Sequence, residues 1–172
     1  MKINRVWAMP NKWTFTIKPI KQLIDYYVGR GDNWIDPFAG KHSSAEETND
    51  LNPEMQTKEH KDALLFLQSW YSMRAKFKGC IYDPPYSITQ ASECYKSYGK
   101  EKFEINPSNM KYWAECKNVI AKLIKPNGFA ICCGWNSNGL GINRGFEMIE
   151  ILLVAHGGSK NDTIVTVESK TK

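Results

Sequence analysis

Three short apolar runs of this chain end in residues that suit the exposed edge of a sheet, and helical patterns separate the runs. Asp36 follows the run that begins at 33, Asp83 follows the run 79–82, and Gly134 lies near the end of the run 129–135. Apolar residues recur every three or four positions over 16–28, 59–73 and 108–124, which predicts a helix in each segment. Strands that alternate with helices predict an α/β fold with a mostly parallel sheet, whose ligands bind outside the carboxyl ends of the strands.

The end of the chain predicts the closing part of the same sheet. The run 146–155 is apolar enough to form another strand. Residues 162–167 alternate in polarity after turn residues at 157–159, as a terminal antiparallel hairpin strand would. The 172 residues contain no repeat or low-complexity linker, and 42% are hydrophobic, so we predict a single domain over 1–172.

Composition argues against several classes of protein. No apolar stretch approaches the roughly 20 residues of a membrane span, and the first residues lack the apolar core of a signal peptide, so we expect a cytoplasmic protein without membrane contact. The five cysteines form no Cys-x-x-Cys pair, and His42, His60 and His156 lack ligand spacing, so we predict no metal site. The net charge of +5 is compatible with a polyanionic partner and equally with an ordinary solvated surface.

The tetrapeptide Asp83-Pro84-Pro85-Tyr86 is the most informative motif in the chain. Two consecutive prolines fix two φ angles and remove two backbone donors, which leaves a rigid corner whose carbonyls are able to accept hydrogen bonds. Such a corner holds a carboxylate, a carbonyl and an aromatic ring around one small planar group. The alternative is a strand that simply ends in a proline turn, since prolines are ordinary strand terminators.

A second motif, Asp36-Pro37-Phe38-Ala39-Gly40, ends the preceding strand. Glycine has no Cβ, so the backbone at Gly40 could approach a ligand closely. Asp50, about ten residues farther on, could accept hydrogen bonds from both hydroxyls of a ribose, as acids do in nucleotide-binding α/β sheets. The alternative is structural, with Gly40 in a turn and Asp50 as an Asx-type cap before Asn52-Pro53.

Taken in order, these motifs resemble the S-adenosylmethionine-dependent amino-methyltransferases of DNA, in particular the adenine N6 methyltransferases. The resemblance implies a Rossmann-like methyltransferase sheet and extends through the helix, Pro-Asn-Gly turn and strand of 123–134 to the closing hairpin. It is carried by Lys18-Pro19, Asp36-Pro37-Phe38-Ala39-Gly40, Asp50-Leu51-Asn52-Pro53, Asp62-Ala63-Leu64 and Asp83-Pro84-Pro85-Tyr86.

The resemblance implies a role for each matching residue. S-adenosylmethionine would be the cofactor, with Asp50 on the ribose hydroxyls and Asp62 on the adenine amino group. Asp83 and the Pro84 carbonyl would hydrogen-bond the target amine beside Pro85, and Tyr86 would stack on a target base flipped out of its duplex. The other residues implied to bind the cofactor are Phe15, Lys18, Pro19, Asp36, Phe38, Gly40 and Asn52.

The chain departs from this family in two places. Only nine residues separate Gly40 from Asp50, too few for a full helix and a strand. No insertion is large enough for a separate target recognition domain, which makes a homodimer or a partner subunit plausible. The candidates for contacts with the phosphates of DNA, or of RNA, are three lysines of the 87–107 loop, Lys96, Lys100 and Lys102, together with Arg144. A solvated surface role fits each lysine equally well.

Several functions are therefore compatible with the sequence. The leading one is methylation of adenine N6 in DNA. The same corner would suit cytosine N4, adenine in RNA or a glutamine amide, because each offers a planar nitrogen. A domain that keeps the fold without the cofactor, acting as a nucleic-acid-binding or partner subunit, is the alternative outside enzymes.

Overall fold

The fold is an α/β sheet of seven strands with helices on both faces. A computed structural model of the chain describes residues 1–97, 99, 110–158 and 160–171. The strands are β1 Lys2–Trp7, β2 Trp34–Asp36, β3 Glu47–Thr48, β4 Phe77–Tyr82, β5 Ile124–Gly134, β6 Phe146–Ala155 and β7 Thr163–Lys170. The helices are α1 Lys18–Val28, α2 Ala63–Ser72, α3 Ile88–Ser97 and α4 Met110–Leu123.

The sheet has the order β1-β6-β7-β5-β4-β2-β3. Every neighbouring pair is parallel except those of β7, which runs antiparallel to both β5 and β6. The predicted mostly parallel sheet with a closing hairpin strand is therefore confirmed. β5 is the central strand of the seven, and its apolar run 129–134 is covered on both faces.

Two apolar cores lie on opposite faces of the sheet. On one face α1 buries Ile20, Leu23, Ile24 and Val28, which follow the three- and four-residue spacing of the sequence. Pro19 sits in the first turn of α1, where its missing N–H costs nothing. On the other face α2 and α4 pack together over β2, β4 and β5.

Three elements differ from the sequence prediction. β1 is an edge strand paired parallel to β6, in a segment for which no element was predicted. The segment 87–107 was predicted to be a loop, but 88–97 form the helix α3. The two-residue strand β3, which was not predicted, pairs parallel to β2, whereas residues 37–46, all described, contain no helix, as the short spacing indicated.

The longest helix in the described part of the chain is α4, with 14 residues. A membrane-spanning helix needs about 20 residues. None of the helices described is long and apolar enough to cross a membrane.

Candidate active site

The two aspartates that end neighbouring strands are brought to one edge of the sheet. β2 and β4 pair in parallel with Ile35 opposite Cys80, so Asp36 and Asp83 leave the sheet at the same edge. A pocket of about 520 Å³ opens there, within the size range of small-molecule sites. Its walls come from the segment before α1, the loops after β2 and β3, the corner after β4, and helices α2, α3 and α4.

Asp36 is buried and lies outside the pocket lining, whereas the next two residues, Pro37 and Phe38, line the pocket. The Asp36 side chain is 0% exposed and accepts hydrogen bonds from the backbone N–H of Phe38 (2.9 Å) and the Ser43 hydroxyl (2.6 Å). Burial raises the pKa of Asp36 to about 8, against the lowering effect of these two hydrogen bonds. Asp36 thus orders the loop from Phe38 to Ser43, whereas it was predicted to line the pocket.

The short crossover between Gly40 and Asp50 is tied down by its own hydrogen bonds. The Asp50 carboxylate accepts from the backbone N–H of Gly40 (3.0 Å) and from that of Asn52 (2.8 Å). Burial raises the pKa of Asp50, and these two bonds lower it. Asp50 is therefore an Asx-type cap, as the structural alternative proposed, and it also lines the pocket. Each carboxylate oxygen has a second lone pair, so a ligand hydroxyl still has an acceptor there.

Asp62 lines the pocket and links α2 to α4 through hydrogen bonds of its side chain. One of its oxygens caps α2 by accepting from the Leu65 N–H (3.0 Å), and the other accepts from the Tyr112 hydroxyl (2.8 Å). Trp113 lies 6.0 Å from Phe38 between ring centroids. Phe38, Tyr112 and Trp113 line the same pocket, so this part of the pocket combines acceptors with aromatic walls, which suits a flat heteroaromatic ring.

Asp83 and Tyr86 of the proline corner contact each other. The Tyr86 hydroxyl donates a hydrogen bond to Asp83, and the Tyr86 N–H donates to the Gln90 side chain (2.7 Å). Burial raises the pKa of Asp83 to about 6, while hydrogen bonds from Tyr86 and Thr14 lower it. The Tyr86 ring packs edge-on against Trp135, with centroids 5.8 Å apart. The Tyr86 hydroxyl thus takes one lone pair of the Asp83 carboxylate, and its other lone pairs stay available to a ligand.

The other predicted cofactor residues divide between the pocket and its surroundings. Phe15 and Asn52 line the pocket, and both side chains are buried. Lys18 and Pro19 begin α1 outside the lining, and Lys18 is exposed. Thr14, Tyr112 and Trp113 are site residues that sequence reasoning missed. Tyr112 and Trp113 belong to the segment 108–124, which the apolar spacing predicts to be a helix, and no signal in the sequence separates them from core residues.

The predicted phosphate contacts are not brought together at the pocket. Lys96 is exposed on α3 but does not line the pocket. Lys100 and Lys102 lie outside the described residues. Arg144 lies just before β6, at the amino edge of the parallel strands, and donates to the Asn118 side chain and the Leu140 carbonyl (2.8 Å each). Those bonds give Arg144 a structural contact away from the pocket, which corrects its predicted place.

Among the described residues, no group of three or more His, Cys, Asp or Glu side chains is arranged to hold a metal ion. The pocket lining offers carboxylates, backbone carbonyls, aromatic rings and basic side chains, the last from Lys12, Lys41, His42 and Lys61. The carboxylates and carbonyls accept hydrogen bonds from amines and hydroxyls and attract a cation, and the aromatic rings bind flat rings.

The buried Asp36 gives a prediction for stability. An aspartate in the unfolded chain ionises near pH 3.8, whereas folded Asp36 stays protonated up to about pH 8. Between these values the folded state binds more protons, so the free energy of unfolding should fall with rising pH, by up to about 1.4 kcal/mol per pH unit. Urea unfolding of the wild type and Asp36→Asn across pH 4–8 should show a shallower fall in the variant. A change at the exposed Asp32, Asp32→Asn, is the control; equal slopes in all three proteins would contradict this account.

Comparison with known proteins finds likeness in structure. No family model and no curated protein matches the sequence. SMU.776, described as a methyltransferase and solved in complex with S-adenosylhomocysteine, has a TM-score of 0.58 at 10% identity over 87% of this chain and 48% of its own. TrmN from Thermus thermophilus has a TM-score of 0.54 at 14% identity, over 90% of this chain and 49% of its own. N-methyltransferase NodS from Bradyrhizobium japonicum, in complex with S-adenosyl-L-homocysteine, has a TM-score of 0.58 at 11% identity, over 90% and 87%.

These similarities establish a Rossmann-like methyltransferase fold. The chain spans about half the length of SMU.776 and of TrmN, and most of the length of NodS.

Proposed function

We propose that this chain transfers a methyl group from S-adenosylmethionine to the exocyclic N6 amine of adenine in DNA. The observation that carries the proposal is that Asp83, Pro84 and Tyr86 share one pocket with the glycine loop at Gly40 and with Asp62. An acceptor corner and a nucleotide-type end are therefore joined in one cavity.

The residues of the nucleotide-type end fit S-adenosylmethionine. Asp50 and Asp62 offer carboxylate oxygens to hydroxyl and amine donors, and the Phe38 and Trp113 rings give the same pocket apolar aromatic surface. SMU.776 and NodS share this fold and were crystallised with the demethylated product of that cofactor. S-adenosylmethionine supplies an electrophilic sulfonium methyl when it is bound. The carboxylates of the pocket favour a cationic ligand of this kind.

The acceptor corner suits a planar amine. An exocyclic amine is a poor nucleophile because its lone pair is delocalised into the ring. In this proposal Asp83 and the Pro84 carbonyl accept its two hydrogens, which favours a more tetrahedral nitrogen and directs the lone pair. With a pKa of about 6, Asp83 is mostly ionised at neutral pH and is able to take the proton that the nitrogen loses. By resemblance, Asp at the first position and Tyr at the fourth favour adenine.

Product analysis tests this proposal directly. The purified chain is incubated with S-adenosylmethionine carrying a heavy-isotope methyl group and with unmethylated DNA of mixed sequence. Mass spectrometry of the hydrolysed nucleosides should find heavy N6-methyladenine. Heavy N4-methylcytosine in the same DNA hydrolysate would replace adenine as the proposed acceptor. Label found instead in parallel reactions with RNA or with a glutamine-containing protein would replace DNA.

A non-catalytic binding domain is the second candidate, and one contact favours it. The Tyr86 hydroxyl occupies one lone pair of the Asp83 carboxylate, so the corner is partly closed by its own residues. Such a domain would bind DNA equally well with and without S-adenosylhomocysteine and would transfer no label. The enzyme reading predicts transfer, together with DNA binding that strengthens when the pocket holds the cofactor product.

A further inference from the structure

Four residues at the pocket mouth form a basic and aromatic cluster, made of Lys12, Trp13, Lys41 and His42. All four line the same pocket as Asp83. The Lys12 ammonium lies 5.1 Å from the centroid of the Trp13 ring, and the His42 ring meets Trp13 edge-on at 5.8 Å. Lys41 follows Gly40, where the Trp13 ring approaches to 3.6 Å from the position that a Cβ would take. Two loops far apart in sequence thus meet around one indole.

The two lysines of this cluster differ from the neighbouring Lys21, Lys58 and Lys61. Those three each form an ion pair with a carboxylate, at 2.6–3.1 Å. Lys12 and Lys41 are exposed and form no ion pair with any carboxylate within the described ranges. Exposed cations around an aromatic ring are the combination that binds the phosphate and base of a nucleic-acid strand.

The cluster lies next in sequence to a residue that lines the pocket beside Asp83, the residue proposed to hold the target amine. Trp13 directly precedes Thr14, which lines the pocket together with Asp83. Of the charged residues in the pocket lining, Asp50, Asp62 and Asp83 are half-buried, whereas Lys12 and Lys41 are exposed and without an ion pair to a described residue. The exposed Glu93 and the ion-paired Lys61 complete the described set. A base that enters the pocket with its amine leading reaches the carboxylates. The phosphates of the same strand are repelled by those carboxylates and attracted to Lys12 and Lys41.

We propose that Lys12, Trp13, Lys41 and His42 dock the phosphodiester and neighbouring base of a DNA strand whose adenine sits at Asp83. This inference rests on the proposed function and deepens it. The preferred acceptor is a nucleotide within a strand, and free deoxyadenosine or a protein amide is a poor substrate.

Binding of a fluorescent single-stranded oligonucleotide with one adenine tests the docking site. Fluorescence anisotropy is measured with saturating S-adenosylhomocysteine, on the full chain. The double variant Lys12→Ala/Lys41→Ala should bind about tenfold more weakly, and the slope of log affinity against log salt should fall by about 1.4, from about 0.7 for each lost phosphate contact. Trp13→Ala should weaken binding with little change in the salt slope.

The matched control is Lys78→Ala/Lys125→Ala, which removes two exposed charges at the opposite edge of the sheet. Equal weakening in both double variants would overturn the inference, because net charge alone would then explain it. Loss of S-adenosylhomocysteine affinity in Lys12→Ala/Lys41→Ala, measured by calorimetry, would assign the cluster to the cofactor and also overturn it.

Substrate preference separates this inference from the proposed function. Wild-type protein should have a higher kcat/KM for the oligonucleotide than for free deoxyadenosine. Equal values would overturn the docking site and leave the proposed methyl transfer intact. A wild-type protein that methylates neither substrate would contradict the proposed function itself.

Discussion

Replacing Asp83 with Asn should lower kcat for methyl transfer by about 10²–10³-fold, the usual range for loss of one preorganised polar group in an active site. The amide keeps the shape of the side chain but replaces one acceptor oxygen with an NH₂ donor. That donor opposes the hydrogens of the target amine and takes up no proton. Rates are measured with labelled S-adenosylmethionine at saturating DNA, and S-adenosylhomocysteine affinity is measured alongside, since Asp83 lies at the acceptor end of the pocket.

Tyr86→Phe is the matched variant for this experiment. It keeps the aromatic ring and removes the hydroxyl that donates to Asp83. Because that hydrogen bond lowers the pKa of Asp83, its loss should raise the pKa from about 6 and move the acidic limb of the kcat/KM profile to higher pH. An Asp83→Asn enzyme with wild-type kcat, or a Tyr86→Phe profile that does not move, would remove the proline corner from the chemistry.

The second large effect is expected at Gly31, which anchors the short crossover. Gly31 has a φ of +86°, and a Cβ there would lie 1.9 Å from the Ser44 carbonyl oxygen. Its own carbonyl accepts from the N–H groups of Trp34 (3.0 Å) and Glu46 (3.2 Å). Gly31→Ala should cost about 1–3 kcal/mol for the left-handed backbone and about 1–3 kcal/mol more for the overlap. Since Ser43 bonds to Asp36, displacement of Ser44 should also weaken cofactor binding.

Gly29→Ala separates these two costs. Gly29 also has a positive φ, +62°, but no atom lies within 4 Å of the position of its Cβ. This variant should lose only the backbone contribution to the free energy of unfolding, and it should keep its affinity for S-adenosylhomocysteine. Denaturant unfolding and calorimetry on both variants measure the difference. Equal losses of stability with unchanged cofactor affinity would mean that the crossover does not shape the pocket.

Local pattern was enough to predict the elements with strong periodicity. The strand 146–155 was predicted with the bounds that β6 has, and the helices around 16–28 and 59–73 form as α1 and α2 with shorter ends. β1 was missed because an edge strand with one exposed face has a mixed polar sequence. α3 was missed because the segment is polar and buries only one described side chain, Ala91.

The residues of the site also divide into those that the sequence could place in the pocket and those that it could not. Asp83 and Gly40 could be placed in the pocket because parallel strands end at one edge of a sheet. Thr14, Trp113 and the Lys12 cluster could not, since they reach the pocket from segments that are far away in sequence. The bond from Tyr86 to Asp83 was equally unpredictable, because it depends on a side-chain rotamer.

Cys94 offers the most direct measurement of whether a methyl donor binds in this pocket. Of the five cysteines it is the exposed one, on the α3 wall, and the other four are buried. Its modification by a thiol reagent is followed in native protein over a titration with S-adenosylhomocysteine, with Cys94→Ser as the control for background reaction. Protection should develop with the dissociation constant found by calorimetry, and the ligand at about 100 times that constant should add about 2.7 kcal/mol of stability. Unchanged Cys94 reactivity, with no heat of binding and no rise in melting temperature at millimolar ligand, would contradict the account.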